Sequence, residues 1–154
     1  MKIVAGVLLL VLSTISGFVF SFKYSERKKS FEKVLAFNSA VKNEVIFSKT
    51  SIVSVIKKTE CDCPLIEYIR SYFIEKKCKE ENLKILKKGE KDFFIEYVKG
   101  LGQGDKKSQT NFLEASEAKL KNYLAEAEEA DKKYRPLCIK LGFLFGLVVL
   151  IILL

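Results

Sequence analysis

Two uninterrupted apolar stretches bracket a segment in which apolar residues recur at helical spacing. The first, Ile3 to Phe22, has 20 residues and no charge. At about 1.5 Å per residue it covers roughly 30 Å as a helix, the thickness of bilayer hydrocarbon. The second, Leu137 to Leu154, has 18 residues with Lys140 as its one charge, and spans roughly 27 Å. Lys140 lies within a turn of that segment's start, where its stem can bury while the ammonium reaches the headgroups. The pattern predicts a transmembrane helix over residues 1–22 and another over 137–154, flanking a domain of residues 23–136.

In the middle segment Phe31, Val34, Leu35, Val41 and Val45 repeat at three-, four- and seven-residue intervals, which predicts a long amphipathic helix from Ser25 to about Ser48–Ser51. Ile52, Val55 and Ile56 mark a short helix that Ser51 is placed to cap. Pro64 opens another, since proline at the first helical position loses no hydrogen bond, and Leu65, Ile66, Ile69, Tyr72 and Phe73 form its inward stripe. Leu83 and Leu86 allow a brief helical turn. Phe94, Tyr97, Val98 and Leu101 define a helix that Gly102 and Gly104 end, and Asp105 caps the next. That last helix carries Phe112, Leu113, Leu120, Tyr123, Leu124, Ala127, Ala130 and Tyr134 toward the membrane, with Pro136 placed to bend the chain or restart the helix. No segment alternates with a period of two, so the fold class is all-α: an antiparallel helical bundle flanked by two transmembrane helices.

Charge sets the orientation. The chain has 27 Lys and Arg against 19 Asp and Glu, a net charge of +8, and no histidine. Lys23, Arg27, Lys28, Lys29, Lys33, Lys132, Lys133, Arg135 and Lys140 crowd the inner ends of the two spans, against Lys2 at the far end of the first. The positive-inside rule then places residues 23–136 in the cytoplasm. The competing reading treats residues 1–16 as a cleaved signal peptide, with Thr14 and Ser16 as small residues before the cut. The remainder is then an extracytoplasmic, tail-anchored binding or sensor domain. The apolar run continues through Phe18, Val19, Phe20 and Phe22, past that cut, which favours the span. A basic chain is also a candidate nucleic-acid binder, but Lys76, Lys77 and Lys79 run into Glu80 and Glu81, and Lys87, Lys88 and Lys91 alternate with Glu90 and Asp92. This is the pattern of a solvated helix face, and no nucleic-acid partner is expected.

The candidate chemistry is sparse. Without histidine the chain lacks the commonest general base and the commonest metal ligand. Cys61, Cys63 and Cys78 offer three thiolates at an unusual spacing, and the cytoplasmic expectation is reduced thiols; an external domain would allow Cys61 or Cys63 to pair with Cys78. Gly100, Gly102 and Gly104 imitate a phosphate loop, yet they follow a helix and no Gly-Lys-Ser/Thr succeeds them, so they are expected to be a linker. Glu126, Glu128, Glu129 and Asp131 are expected to be a solvated face. The chain is therefore expected to be no enzyme, with no metal, cofactor or small-molecule substrate. The spans carry more: Ser13 and Gly17, and Gly142 and Gly146, are pairs of small residues four apart. Gly17 and Gly142 lie at one depth from the inner ends, and Ser13 and Gly146 at another, so the two notches are expected to pack together within one chain or between copies of a homo-oligomer.

Ser25-Glu26-Arg27 after the first span, Leu101-Gly102 with Asp105 and Gln109, and Leu141-Gly142-Phe143-Leu144 with Gly146 and an aliphatic end at Leu154 occur in a characteristic order. In this the chain resembles the stage III sporulation protein AB family of spore-forming Firmicutes over nearly its whole length. The resemblance implies a cytoplasmic domain similar to those of type II secretion platform proteins, set in the outer forespore membrane on the mother-cell side. It implies the stage III sporulation ATPase AA and other channel-complex proteins as partners. It transfers no catalytic residue; Leu101, Gly102, Asp105 and Gln109 are the candidate partner contacts.

Overall fold

The computed structural model of the protein describes residues 2–47, 52–59, 63–77 and 79–153. Five α-helices account for most of them: α1 (Lys2–Phe47), α2 (Ile52–Lys58), α3 (Pro64–Arg70), α4 (Lys88–Gly100) and α5 (Lys106–Leu153). A π-helical turn, Ser71–Glu75, and a 3₁₀ turn, Glu80–Leu83, lie between α3 and α4, and the described residues contain no strand. The expected end of the first amphipathic helix at Ser48–Ser51, and the cap assigned to Ser51, lie outside the described residues.

The two long helices follow from what is missing in them. Between Phe18 and Phe47 there is neither glycine nor proline, so nothing interrupts the run from apolar span into amphipathic helix. Helix α5 does contain Pro136, and continues through it. The bend or restart expected there is not a chain break. A proline within a helix deprives the carbonyl four residues earlier of its donor; that residue is Lys132, which is exposed like Pro136 itself, so water can replace the lost bond.

The chain forms two compact units. The first consists of the residues up to Glu26 and from Ala127 onward. Here α1 and α5 run antiparallel, as the meetings of Gly6 with Leu150, Leu10 with Gly146 and Gly17 with Gly142 establish. Large apolar side chains face outward all around this pair, with Phe20 68 % and Phe145 67 % exposed. Helices apolar on every side suit hydrocarbon rather than water, and both α1 and α5 are long and apolar enough to cross a membrane.

The second unit runs from Arg27 to Glu126 and has an ordinary aqueous protein's pattern. Its core joins Phe31, Val34 and Val41 of α1, Ile56 of α2, Leu65 and Ile69 of α3, Leu83 of the 3₁₀ turn, Phe94 and Tyr97 of α4, and Leu113 and Leu120 of α5, all under 2 % exposed or nearly so. Phe31 stacks on Tyr123 at 5.9 Å and Tyr97 on Phe112 at 6.1 Å. The expected helices α2, α3 and α4 are present, Pro64 stands in the first turn of α3, and the turn around Leu83 is the 3₁₀ turn. The π-helical turn was not foreseen: it ends at Lys76 in the left-handed region (φ 54°), with the Lys77 N–H donating to the Ser71 carbonyl at 3.2 Å. Glycine usually fills such a position, and its absence here hides the turn from a reading of the sequence.

Candidate functional site

In the first unit the small residues create a close helix crossing. A side-chain carbon added at Gly17 meets the Cys138 carbonyl oxygen at 2.6 Å and Gly142 Cα at 3.1 Å; one added at Gly142 meets the Ser13 oxygen at 2.9 Å and Gly17 Cα at 3.0 Å. Backbone is thus packed on backbone, and no alanine fits without moving a helix. The Ser13 hydroxyl donates to the Gly142 carbonyl at 2.7 Å, an interhelical hydrogen bond of the kind that supports association in a medium without water. The nearest atoms to a carbon added at Gly146 belong to Leu10, whose Cα lies 2.9 Å away, three residues from the Ser13 that equal depth suggests. Tilted helices cross over only a few residues, so matched depth does not ensure contact. Beside the crossing lies a groove of about 600 Å³, lined by Ser13, Ser16, Gly17, Cys138 and Gly142 with flanking Leu and Phe side chains.

In the second unit the four candidate partner contacts form one turn and the helix start after it. Leu101 has φ −63° and ψ 124°, Gly102 has φ 81°, and the Gln103 N–H donates to the Gly100 carbonyl at 3.3 Å, the geometry of a type II turn that demands glycine at its third position. Leu101 is buried in the core. Gln109 is buried too, and its Oε1 accepts from the Gly102 N–H at 3.1 Å; its Nε2 has no partner among the described residues. Gly102 and Asp105 are exposed. The Asp105 carboxylate accepts from the Ser108 N–H at 3.3 Å, and hydrogen bonds from the Ser108 hydroxyl and backbone hold its carboxyl below the usual range. Two of the four residues thus build the loop and two are displayed on it.

Two buried polar features had no signal in the sequence pattern. The Arg27 guanidinium pairs with the Glu90 carboxylate, its Nε donating to Oε2 at 3.2 Å and its Nη2 to Oε1. The Lys87 N–H also donates to Glu90 Oε2, at 2.9 Å, at the start of α4. Further along, Asn38 of α1 donates to the Leu113 carbonyl of α5 at 3.1 Å and accepts from the Tyr97 hydroxyl of α4 at 3.1 Å. Burial raises the Tyr97 phenol well above its usual range, keeping it a neutral donor. Cys63 is buried and its thiol is pushed up by that burial; Cys61 and Cys78, the other two candidate thiolates, lie outside the described residues.

The described residues are mostly helical, with two helices long and apolar enough to cross a membrane and an outward apolar girdle on one unit, the make-up of a helical protein suited to a bilayer. The stage III sporulation protein AB family model matches residues 2–154, and the chain belongs to that family. No curated protein and no solved structure matches it.

Proposed function

We propose that the chain is a membrane platform component of a sporulation-specific secretion or channel complex, docking a cytoplasmic ATPase to the membrane assembly during spore development. The observation that carries this is membership of a sporulation family over residues 2–154. The role needs a protein that is held in a bilayer and presents a folded face to soluble partners, and it needs no catalysis by the chain itself. The apolar girdle around α1 and α5 supports the first requirement. The excess of bases at the inner span ends supports a cytoplasmic second unit through the positive-inside rule. The packing of Gly6, Leu10 and Ser13 against α5 favours retention of the residues that a signal-peptide reading removes.

Docking is assigned to the loop around Gly102 and Asp105, where a tight turn held by Leu101 and Gln109 displays a carboxylate to solvent. Copurification from sporulating cells tests it: Asp105→Lys is expected to lose the ATPase while the bundle stays folded, and undiminished recovery removes this loop from the docking face. Protease added outside intact protoplasts tests the orientation. The second unit is expected to survive, and its digestion overturns the cytoplasmic assignment.

A further inference from the structure

The unexplained charge in the first unit is Lys140. It is exposed on α5 among Leu137, Leu141, Phe143 and Leu144, each itself 46–56 % exposed. No acid occurs from Lys132 to Leu154, and the nearest on the helix, Asp131, is about 13 Å away along the axis. No salt bridge reaches Lys140 among the described residues. An ammonium on an apolar, lipid-exposed surface is costly unless its stem carries it to the interface, where water and lipid headgroups meet it.

The same unit shows where that interface would stand. Tyr24 of α1 stacks on Tyr134 of α5, centroids 5.5 Å apart and planes 25° apart, and Lys133 Nζ sits 5.5 Å from the Tyr134 ring. This contact brings Lys23 and Arg135, the exposed neighbours of the two tyrosines, to one level. Tyrosines with bases beside them at the end of an apolar pair are the pattern of a membrane–water boundary. Lys140 lies six residues from Tyr134, about 9 Å toward the apolar end, and its stem, about 6 Å long, carries the ammonium most of the way to that level. The acids of this unit, Glu26, Glu128, Glu129 and Asp131, all lie on the opposite side of the tyrosine pair. Facing the lipid there are only positive charges.

We propose that Lys23, Lys133, Arg135 and Lys140 form a binding band for anionic glycerophospholipid headgroups, with lipid phosphate as the counter-ion of Lys140. The inference rests on the membrane half of the function proposed above and not on ATPase docking. A band of several cations at one depth distinguishes a lipid of net negative charge from a zwitterionic one, because only the first leaves uncompensated charge for it.

The chain has no tryptophan, so Phe22→Trp, at an exposed position beside the band, provides a reporter. The full chain is reconstituted in phosphatidylcholine vesicles containing brominated phosphatidylglycerol or, in parallel, brominated phosphatidylcholine at equal mole fraction. The anionic quencher is expected to reach half-quenching at a several-fold lower fraction. Lys140→Gln with Arg135→Gln is expected to abolish that preference, Lys140→Arg to retain it, and Lys76→Gln with Lys77→Gln to leave it unchanged. Equal quenching by the two lipids in carbonate-resistant, inserted protein overturns the proposal, as does a preference that survives the double substitution. Failure of the protein to insert overturns it together with the membrane reading, whereas loss of ATPase copurification leaves it untouched.

Discussion

Arg27 and Glu90, 63 positions apart, are joined as a buried ion pair whose carboxylate also takes the Lys87 N–H. Removing one partner strands the other charge in the core, which costs more than the intact pair contributes. Glu90→Ala or Arg27→Ala is expected to lower unfolding free energy by about 3–5 kcal/mol, measured by denaturant unfolding of the whole chain in detergent. The apolar double substitution Arg27→Met with Glu90→Leu is expected to recover most of that loss. A double variant no better than the singles shows that the pair itself stabilises the unit.

Asn38 holds three helices through two hydrogen bonds, so its truncation strands two groups rather than one. Asn38→Ala is expected to cost about 2–4 kcal/mol, and Tyr97→Phe, which frees only the Asn38 oxygen, about 1–2 kcal/mol. A double-mutant cycle from thermal unfolding checks the coupling between them.

The crossing of the first unit predicts which engineered cysteines meet. Gly6→Cys with Leu150→Cys is expected to crosslink in a background lacking Cys138, because only the Leu150 side chain crowds the carbon added at Gly6 and the Leu150 Cα lies 3.8 Å from it, while the pair at 6 and 142 is expected not to react. Gly17→Leu is expected to separate the helices and abolish the crosslink. Equal crosslinking of the two pairs contradicts this register.

Lys76 occupies a left-handed conformation that costs a side-chain-bearing residue about 1 kcal/mol relative to glycine. Lys76→Gly is therefore expected to raise stability by about that amount, partly offset by the greater freedom of glycine in the unfolded chain. A melting temperature that falls on this substitution excludes the π-helical turn's left-handed end as a source of strain.

Surface charge provides a pH-dependent test. Hydrogen bonding by Lys121, reinforced by its charge and that of Lys42, lowers the Glu117 carboxyl below its usual 4.5. A carboxyl with a depressed folded pKa contributes stability above the unfolded value, and loses that contribution as pH falls through the folded one. Glu114 and Glu117 raise the Lys42 ammonium above 10.5, so its contribution is complete below that pH and fades as pH rises through the folded value. Glu117→Gln is expected to lower the melting temperature slightly at neutral pH, with the difference shrinking below pH 4.5 and in high salt. A difference that persists in strong acid contradicts the assignment.

Periodicity was enough for the elements whose signal is local. The helices over α2, α3 and α4, the proline at the start of α3 and the glycine turn at Gly102 follow from residue types that act on their own backbone. Pro136 does not end its helix, because its local effect, a lost hydrogen bond, is small where the freed carbonyl reaches water. The π-helical turn escaped because a lysine holds the position normally betrayed by glycine. Ser13 and Gly142 were legible as small residues, but whether Gly146 meets Ser13 or Leu10 depends on the crossing of two helices more than a hundred residues apart in the chain.

Chain composition alone determined that this protein is helical, has two membrane-length apolar segments and carries its bases at their inner ends, because hydropathy, helical period and charge are properties of neighbouring residues. Only tertiary structure decided that Leu101 and Gln109 turn inward while Gly102 and Asp105 face out, that Arg27 finds Glu90, and that Tyr24 stacks on Tyr134. Those outcomes depend on which distant side chain fills each space, and burial of a polar group is affordable only when that partner arrives.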